Sequence, residues 1–272
     1  MTRVLVTGAG GFFGRTLCPA LLAAGHDVSA AVRDPAAAGL RGLEIRPVPD
    51  IGPDTDWSEA LSGIEAVVHL AARVDVINET VADPLAEYRG INRDGTRRLA
   101  EAAVGEGVRR LLFLSTVKVN GEETEAAPFS ENDPPAPADA YGLSKWEAEK
   151  TLAGIAAKSE LETVILRSPL IYGENVKGRF LSLLKLCRKA LPLPLGGIAN
   201  RRSMIYAGNL ADAVIRCLAH PDAAGRTYLV GDCEDVSTPE LIRRVAGALG
   251  RPARLFAVPS VMLRLAGGGV GQ

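Results

Sequence analysis

The chain has little of what marks a secreted, membrane-bound or nucleic-acid-binding protein. Its four cysteines, Cys18, Cys187, Cys217 and Cys233, are scattered without any paired spacing. They read as small apolar filler in a reducing compartment, and neither a disulfide framework nor a metal site is expected. No apolar run reaches the roughly 18 residues needed to cross a bilayer, and no apolar signal region precedes the opening "RVLVTG". The formal net charge of -1 provides no global field for nucleic acid or an acidic membrane, and pairs such as Arg201 and Arg202 are too short to change that. These absences set the expectation of a cytoplasmic protein without nucleic-acid or membrane partners.

What is present is ordinary for a globular enzyme. Apolar residues make up 47% and charged residues 23% of 272, enough for a full core in one or two domains. Short apolar runs alternate with helical stretches through the first two thirds. "RVLVTG", "HDVSAAVR", "LEIRPVP", "EAVVHLAA", "RRLLFLST" and "ETVILRS" read as strands. Between them, helices are predicted over 12–25, near Trp57 to Leu61, over 84–105 and over 141–158. This alternation predicts an α/β fold: a Rossmann-type doubly wound parallel sheet with ligands at the C-terminal strand ends.

After Pro169 the rhythm breaks. An irregular stretch with Pro192 and Pro194 precedes a helix over 207–220, a strand "RTYLVGD" and a helix over 237–250 capped by Ser237 or Thr238. The reading is a dinucleotide-binding domain over 1–168 and a smaller substrate lobe over 169–272, partly interleaved with the sheet. The Gly-rich end "LAGGGVGQ" reads as frayed or cut short.

"TGAGGFFG" places Gly8, Gly11 and Gly14 three apart between a strand and a helix. Gly8 suits a tight turn, Gly11 a close approach of backbone N–H groups to a pyrophosphate, and Gly14 close packing of helix on strand. Phe12 and Phe13 belong to the same loop. Asp50 is a candidate acceptor for an adenine amino group, with Ile51 against the ring. Leu70, Ala71 and Ala72 are small or apolar residues where a strand end meets the ribose and nicotinamide side. His69, just before them, reads as a structural hydrogen-bonder. "AYGLSKWEAEK" sets Tyr141 and Lys145 at i and i+4 on one helix face. A neighbouring ammonium favours the phenolate, which lets the tyrosine exchange a proton with a substrate oxygen.

With these motifs, "INRDGT", "FLSTVKVNG" and "LRSPLIYGE", the chain resembles the extended short-chain dehydrogenase/reductase family over about residues 4 to 174, and more weakly through "RRSMIYAGNLADA". The resemblance implies that Thr116 holds the substrate oxygen beside Tyr141, while Lys145 tunes Tyr141 and holds the nicotinamide ribose. Ser115 and Ser168 join the cofactor contacts. So does Asn92, which in relatives supports the active-site backbone and which also reads as a plain polar helix residue. Asn120 stands where the family usually has an aromatic. "GENVKGRFLSLLKL" and "LPLPLGGIANRRSMIYAGNLADAV" are similar to the nucleotide-sugar epimerase and reductase branch, in particular bacterial enzymes acting at C4 of UDP-N-acetylated hexoses for surface polysaccharides. By that resemblance Lys118, Asn175 and Arg202 meet the substrate, with Arg201 an alternative to Arg202 at the diphosphate. Relatives continue beyond this length, so the lobe is expected to be minimal or truncated at its C-terminus. The resemblance further implies a homodimer through the 84–105 and catalytic helices.

The cofactor turns on "AAVRDP". Epimerases of this family usually end the second strand in an acid that binds both ribose hydroxyls and favours NAD. Here Val32 is followed by Arg33, a cation suited to a 2′-phosphate, with a solvated arginine and Asp34 in the acid's role as the alternative. This favours NADP(H), and with it an NADPH-dependent 4-keto reductase of a UDP-linked deoxy-amino sugar. The alternative is a UDP-hexose or UDP-N-acetylhexosamine 4-epimerase with tightly bound NAD. A non-catalytic dinucleotide-binding sensor is a third reading, against which the Thr116, Tyr141 and Lys145 set argues.

Overall fold

The computed structural model describes residues 1–34, 40, 42–74, 81–124 and 127–259; the Gly-rich end "LAGGGVGQ" lies outside them. The first of two compact units comprises Met1–Ile171 and Ile205–Val230. Its core is a parallel sheet of seven strands: β1 (Arg3–Thr7), β2 (Asp27–Val32), β3 (Glu44–Pro47), β4 (Ala66–His69), β5 (Arg110–Thr116), β6 (Glu162–Ser168) and, late in the chain, β9 (Thr227–Leu229). The spatial order is β3-β2-β1-β4-β5-β6-β9. Central strands such as β4 are buried along their whole length, which is why they read as unbroken apolar runs rather than as alternating patterns.

Helices cover both faces. On one face α1 (Gly14–Ala23) and α7 (Ala207–Ala219) pack Leu17, Leu21, Leu210 and Val214 against Val6 and Val164. On the other, α2 (Ser58–Leu61), α4 (Thr96–Gly105) and α5 (Ala140–Ala156) bury Trp57, Leu61, Leu99 and Leu152 against Leu5, Leu111 and Phe113. Chain order reverses at β1, which has β2 on one side and β4 on the other. Such a switch point opens a crevice at the C-terminal strand ends.

Two features differ from the sequence reading. The residues 205–230, assigned above to the substrate lobe, fall in the sheet unit. The cause is packing: β9 pairs with β6 in parallel register, and α7 buries its apolar stripe beside α1. Arg110 fastens that stripe by donating to the carbonyls of Cys217, Leu218 and His220 at the end of α7, where a cation also offsets the negative end of the helix dipole. The predicted helix over 84–105 is also not uniform. It runs as α3 (Pro84–Tyr88), a π-helical segment Arg89–Gly95, and α4. A π segment adds one residue per turn and re-aims its side chains, and this one contains Asn92.

The second unit comprises Tyr172–Met204 and Gly231–Gln272. Within it α6 (Gly178–Arg188) packs against α8 (Thr238–Ala248), whose N-cap is Ser237, accepting from the Glu240 N–H. Short strands β7 (Leu170–Tyr172) and β8 (Met204–Tyr206) pair where the chain leaves and re-enters the sheet unit. No helix among the described residues is long and apolar enough to cross a membrane.

Candidate active site

The glycine loop follows β1 directly. Gly8 has φ +69, and a Cβ there would stand 2.8 Å from the Ala71 nitrogen at the end of β4. A side chain is thus excluded by both conformation and space. At Gly14 a Cβ would sit 2.5 Å from the carbonyl oxygens of both Gly8 and Ala9. That contact is what lets the first turn of α1 lie on the loop. Gly14→Ala is expected to destabilise the chain by about 3 kcal/mol, as forced overpacking does, measured by urea unfolding of the cofactor-free protein. Gly11 donates its N–H to the Gly8 carbonyl at 2.9 Å, and the space over Gly10 is open. Phe13 caps α1 from inside the core, and Phe12 packs at its edge. The loop therefore forms a side-chain-free cradle at a helix N-terminus, the kind of site that receives a pyrophosphate.

Beneath it runs a buried hydrogen-bond chain. Thr7 Oγ1 accepts from the Ala71 N–H at 3.2 Å and lies 2.7 Å from His69 Nδ1. His69 Nε2 in turn lies 3.0 Å from Thr96 Oγ1, and the ring stacks on Phe113. Burial, reinforced by the nearby Lys145 charge, pushes the imidazole pKa down to about 3. His69 is a neutral structural residue, spent on holding β1, β4 and α4 together. Leu70 and Ala71 continue the tie, each through its N–H to Thr7, and Ala72 follows at the same strand end.

At the adenosine end, Arg33 Nη1 bonds Asp50 Oδ1 at 2.8 Å, with the two side chains 75% and 84% exposed. Two candidate cofactor residues are thus paired to each other. Ile51 packs on the approach to α4, its Cγ2 lying 2.6 Å from where a Cβ on Gly95 would stand.

At the other end β5 delivers Thr116 and α5 delivers Tyr141 and Lys145. Asp139 caps α5, accepting from the Gly142 N–H at 2.6 Å, and Lys118 binds the other carboxylate oxygen of Asp139 at 2.5 Å. Lys118 lies in the 3-10 turn Val117–Val119, whose N-cap is Thr116; the Thr116 hydroxyl accepts from the Lys118 N–H at 3.3 Å. Gly142 lies against the Lys118 carbonyl, where a Cβ would approach to 2.9 Å. The turn after Thr116 and the start of the Tyr141 helix are therefore locked together. Lys118, expected above at the substrate, is engaged with Asp139 and also with Glu122. The Tyr141 ring faces Tyr88 at 6.1 Å between centroids. Lys145 is 2% exposed, with Nζ 3.7 Å from the centre of the Phe113 ring. Burial pushes its pKa down to about 7, while Glu149 pulls the other way.

Asn92 is buried in the π segment. Its amide accepts from the Arg73 N–H and donates to the Arg73 carbonyl and to Ser144 Oγ. It links the strand-end loop after β4 to the helix of Tyr141. Ser168 Oγ donates to the Ser115 carbonyl, tying β6 to β5. Ser115 turns its own hydroxyl to Glu149 at 2.5 Å, on the face of β5 opposite Thr116. Asn175, exposed at φ +62, and Arg202, whose peptide pairs with Val236, both belong to the second unit. That unit holds a cavity of about 250 Å³ lined by Tyr172, Phe180, Met204, Asp232, Arg244 and Val245. Tyr172 stacks on Phe180 and donates to Asp232. Among the described residues no group of His, Cys, Asp and Glu could hold a metal ion.

The profile of the NAD-dependent epimerase/dehydratase family matches residues 4–231. The chain belongs to that family. Among curated relatives, it is 43% identical over 267 residues to a UDP-glucose 4-epimerase of Vibrio cholerae, covering 97% of this chain and 81% of that one. It is 30% identical over 269 residues to the N-acetyl-alpha-D-glucosaminyl-diphospho-ditrans,octacis-undecaprenol 4-epimerase of Escherichia coli O157:H7, covering 97% and 78%. Among solved structures it is similar to UDP-glucuronic acid 4-epimerase of Bacillus cereus in complex with UDP-glucuronic acid and NAD. There the TM-score is 0.80 at 27% identity, over 94% of this chain and 86% of that one. Family membership and these likenesses make the chain an NAD-dependent epimerase/dehydratase of the short-chain dehydrogenase/reductase type.

Proposed function

We propose that the chain is a 4-epimerase of a UDP-linked hexose that works with a tightly held NAD. The observation that carries this reading is the 43% identity to the Vibrio cholerae UDP-glucose 4-epimerase across nearly the whole chain. It reverses the order favoured by the sequence, in which NADPH-dependent 4-keto reduction came first. Arg33 does not decide between the dinucleotides: its ion pair with Asp50 joins two side chains that are 75% and 84% exposed, and such a pair is weak enough to open for a ligand.

The residues present fit the dinucleotide. The cradle of Gly8, Gly11 and Gly14 would take the pyrophosphate on the N-terminus of α1, Asp50 and Ile51 the adenine, and Lys145 the nicotinamide ribose. When bound, the dinucleotide supplies a reversible hydride acceptor. The chain itself must take a proton from the sugar's C4 oxygen and later return one. Tyr141 is the group for that transfer, Thr116 a donor that holds the same oxygen, and the Lys145 ammonium the charge that favours the Tyr141 phenolate. Asn175 and Arg202 are the proposed contacts to the UDP moiety, and a homodimer is the proposed assembly.

The test is to denature the purified protein and identify any nicotinamide dinucleotide released, then to incubate the native protein with UDP-glucose and UDP-N-acetylglucosamine and follow C4 inversion by NMR. Carried-through NAD with inversion of either sugar is the expected result. An empty site that prefers NADPH, with turnover only of 4-keto sugars, would restore the reductase reading.

A further inference from the structure

Behind the proton-transfer pair lies a buried charge cluster that neither the family motifs nor the cofactor cradle accounts for. Tyr141, Lys145 and Glu149 follow one another at intervals of four along α5, so they share one helix face. Glu149 is as buried as Lys145. Its carboxylate accepts from Ser115 Oγ at 2.5 Å, and from Arg167 Nη2 at 2.7 Å and Nε at 3.1 and 3.2 Å. Arg167 is itself buried and spends its remaining Nη1 on Asn120 Oδ1 at 3.0 Å. Asn120 in turn donates to the Ser130 carbonyl at 2.8 Å. Ser115 and Arg167 are register partners across β5 and β6, so both point to the side on which α5 lies.

The placement is specific. Ser115 immediately precedes Thr116, and Asn120 closes the turn that follows it. One carboxylate thus fastens the strand that carries Thr116 to the helix that carries Tyr141 and Lys145. An uncompensated buried charge is strongly unfavourable, and here the charges alternate: Lys145, Glu149, Arg167. Among the described residues no second anion acts on the Lys145 ammonium. From its own helix it has Tyr141, from β5 the uncharged Phe113 ring, and from β4 the neutral His69. Glu149 is the carboxylate that acts on it.

We propose that Glu149, clamped by Arg167 and Ser115, is a positioning residue for the proton-transfer step: it supplies the buried negative charge that keeps Lys145 an ammonium and it aligns Thr116 with Tyr141. The alignment role rests on the epimerase reading, whereas the charge role is readable without substrate or cofactor. It also gives Asn120 a purpose, since its amide oxygen accepts from Arg167 while its amide nitrogen donates to the Ser130 carbonyl.

The experiment is the titration of Lys145 in the cofactor-free protein, followed by the 13Cε shift of labelled lysine and assigned by its loss in Lys145→Met. In Glu149→Gln, which keeps the shape and the bond to Ser115, the midpoint should fall by about one pH unit or more below the wild type. Glu149→Asp should return it toward the wild type. Because Glu149→Gln leaves Arg167 buried without its anion, the double variant Glu149→Gln with Arg167→Gln provides a neutral, hydrogen-bonded pair for the same measurement. Measured against Arg167→Gln alone, the folded double variant should titrate about one pH unit or more lower; if those two midpoints coincide, the proposal is wrong and the cluster serves only to hold the fold. In the active enzyme, Glu149→Gln should lower kcat about tenfold with KM within about twofold. A change confined to KM would remove the alignment role. Absence of epimerase activity in the wild type would overturn the function proposed above while leaving the Lys145 titration to decide this one.

Discussion

Replacing Tyr141 by phenylalanine should lower turnover about a thousandfold, within the range that a positioned general acid–base supplies, while cofactor affinity changes little. The separation follows from where the residue lies. The pyrophosphate cradle depends on Gly8 and Gly14, which are shaped by contacts with Ala71 and Ala9 rather than by anything on α5. The start of α5 is set by the Asp139 cap and the Lys118 bond, neither of which uses the phenol. The substitution therefore removes one hydroxyl from a helix that stays in place. NAD binding to the cofactor-free variant, measured by calorimetry, should match the wild type within about twofold. C4 inversion, measured by NMR on UDP-glucose, should be close to the limit of detection. Turnover retained within tenfold would mean that another group moves the proton, and Tyr141 would then be a wall of the site. Thr116→Ala is the milder companion, since it removes a donor to the same oxygen and leaves the proton-transfer group intact.

How much of this site was legible in the chain depends on whether a residue's role is set by local pattern or by partners distant in sequence. The shape of the glycine loop was legible because a tight turn at Gly8 and a close helix at Gly14 each demand the absence of a side chain, and they do so at fixed spacing. Tyr141 and Lys145 were legible for a similar reason, since four residues on a helix define a face. The fate of Arg33 was not. Its chemistry suits a phosphate, but its partner Asp50 is brought to it by β2 and β3 pairing in parallel. No spacing rule connects the two. Lys118 shows the same limit: only the folded turn reveals that its ammonium is taken up by the cap of α5.

The interleaving of the late segments with the sheet was legible only in outline. After Pro169 the helix over 207–220 carries an amphipathic pattern that any helix on any sheet would show. What returns it to the sheet unit is the pairing of β9 with β6, across 62 residues of chain, and the three carbonyls held by Arg110, across 107 to 110. The π segment was hidden because its sequence is helical throughout, and the extra residue shows only in how Asn92 reaches Arg73 and Ser144. Glu149, by contrast, was within reach. It stands four residues beyond Lys145 on the same face, and a charged residue at that spacing on a buried helix requires a partner.

Lys145 should destabilise the cofactor-free chain, which runs opposite to the usual picture of a functional charge. Its ammonium is buried, and its pKa falls to about 7 in the folded chain, against about 10.4 when unfolded. Between those two values the unfolded state holds a proton that the folded state has released, so stability rises with pH across that window. Below pH 7 both states are protonated and the full penalty of burying the charge applies. Comparison with Lys145→Met, which fills the space without a charge, isolates the effect. The variant should be more stable than the cofactor-free wild type at pH 6 and 7, by about 4 kcal/mol from three pH units of linkage. The difference should shrink steadily toward pH 10, as measured by urea unfolding at each pH. Parallel profiles for the two proteins would show that Lys145 is solvated in the folded chain. The same variant should be catalytically inert, because the phenolate of Tyr141 loses its neighbouring cation. In the proposed function the nicotinamide ribose hydroxyls would bond the Lys145 ammonium, which stands beside the Phe113 ring and the neutral His69, and binding would offset part of that penalty. Loss of the cofactor should therefore lower the stability of the wild type more than that of Lys145→Met.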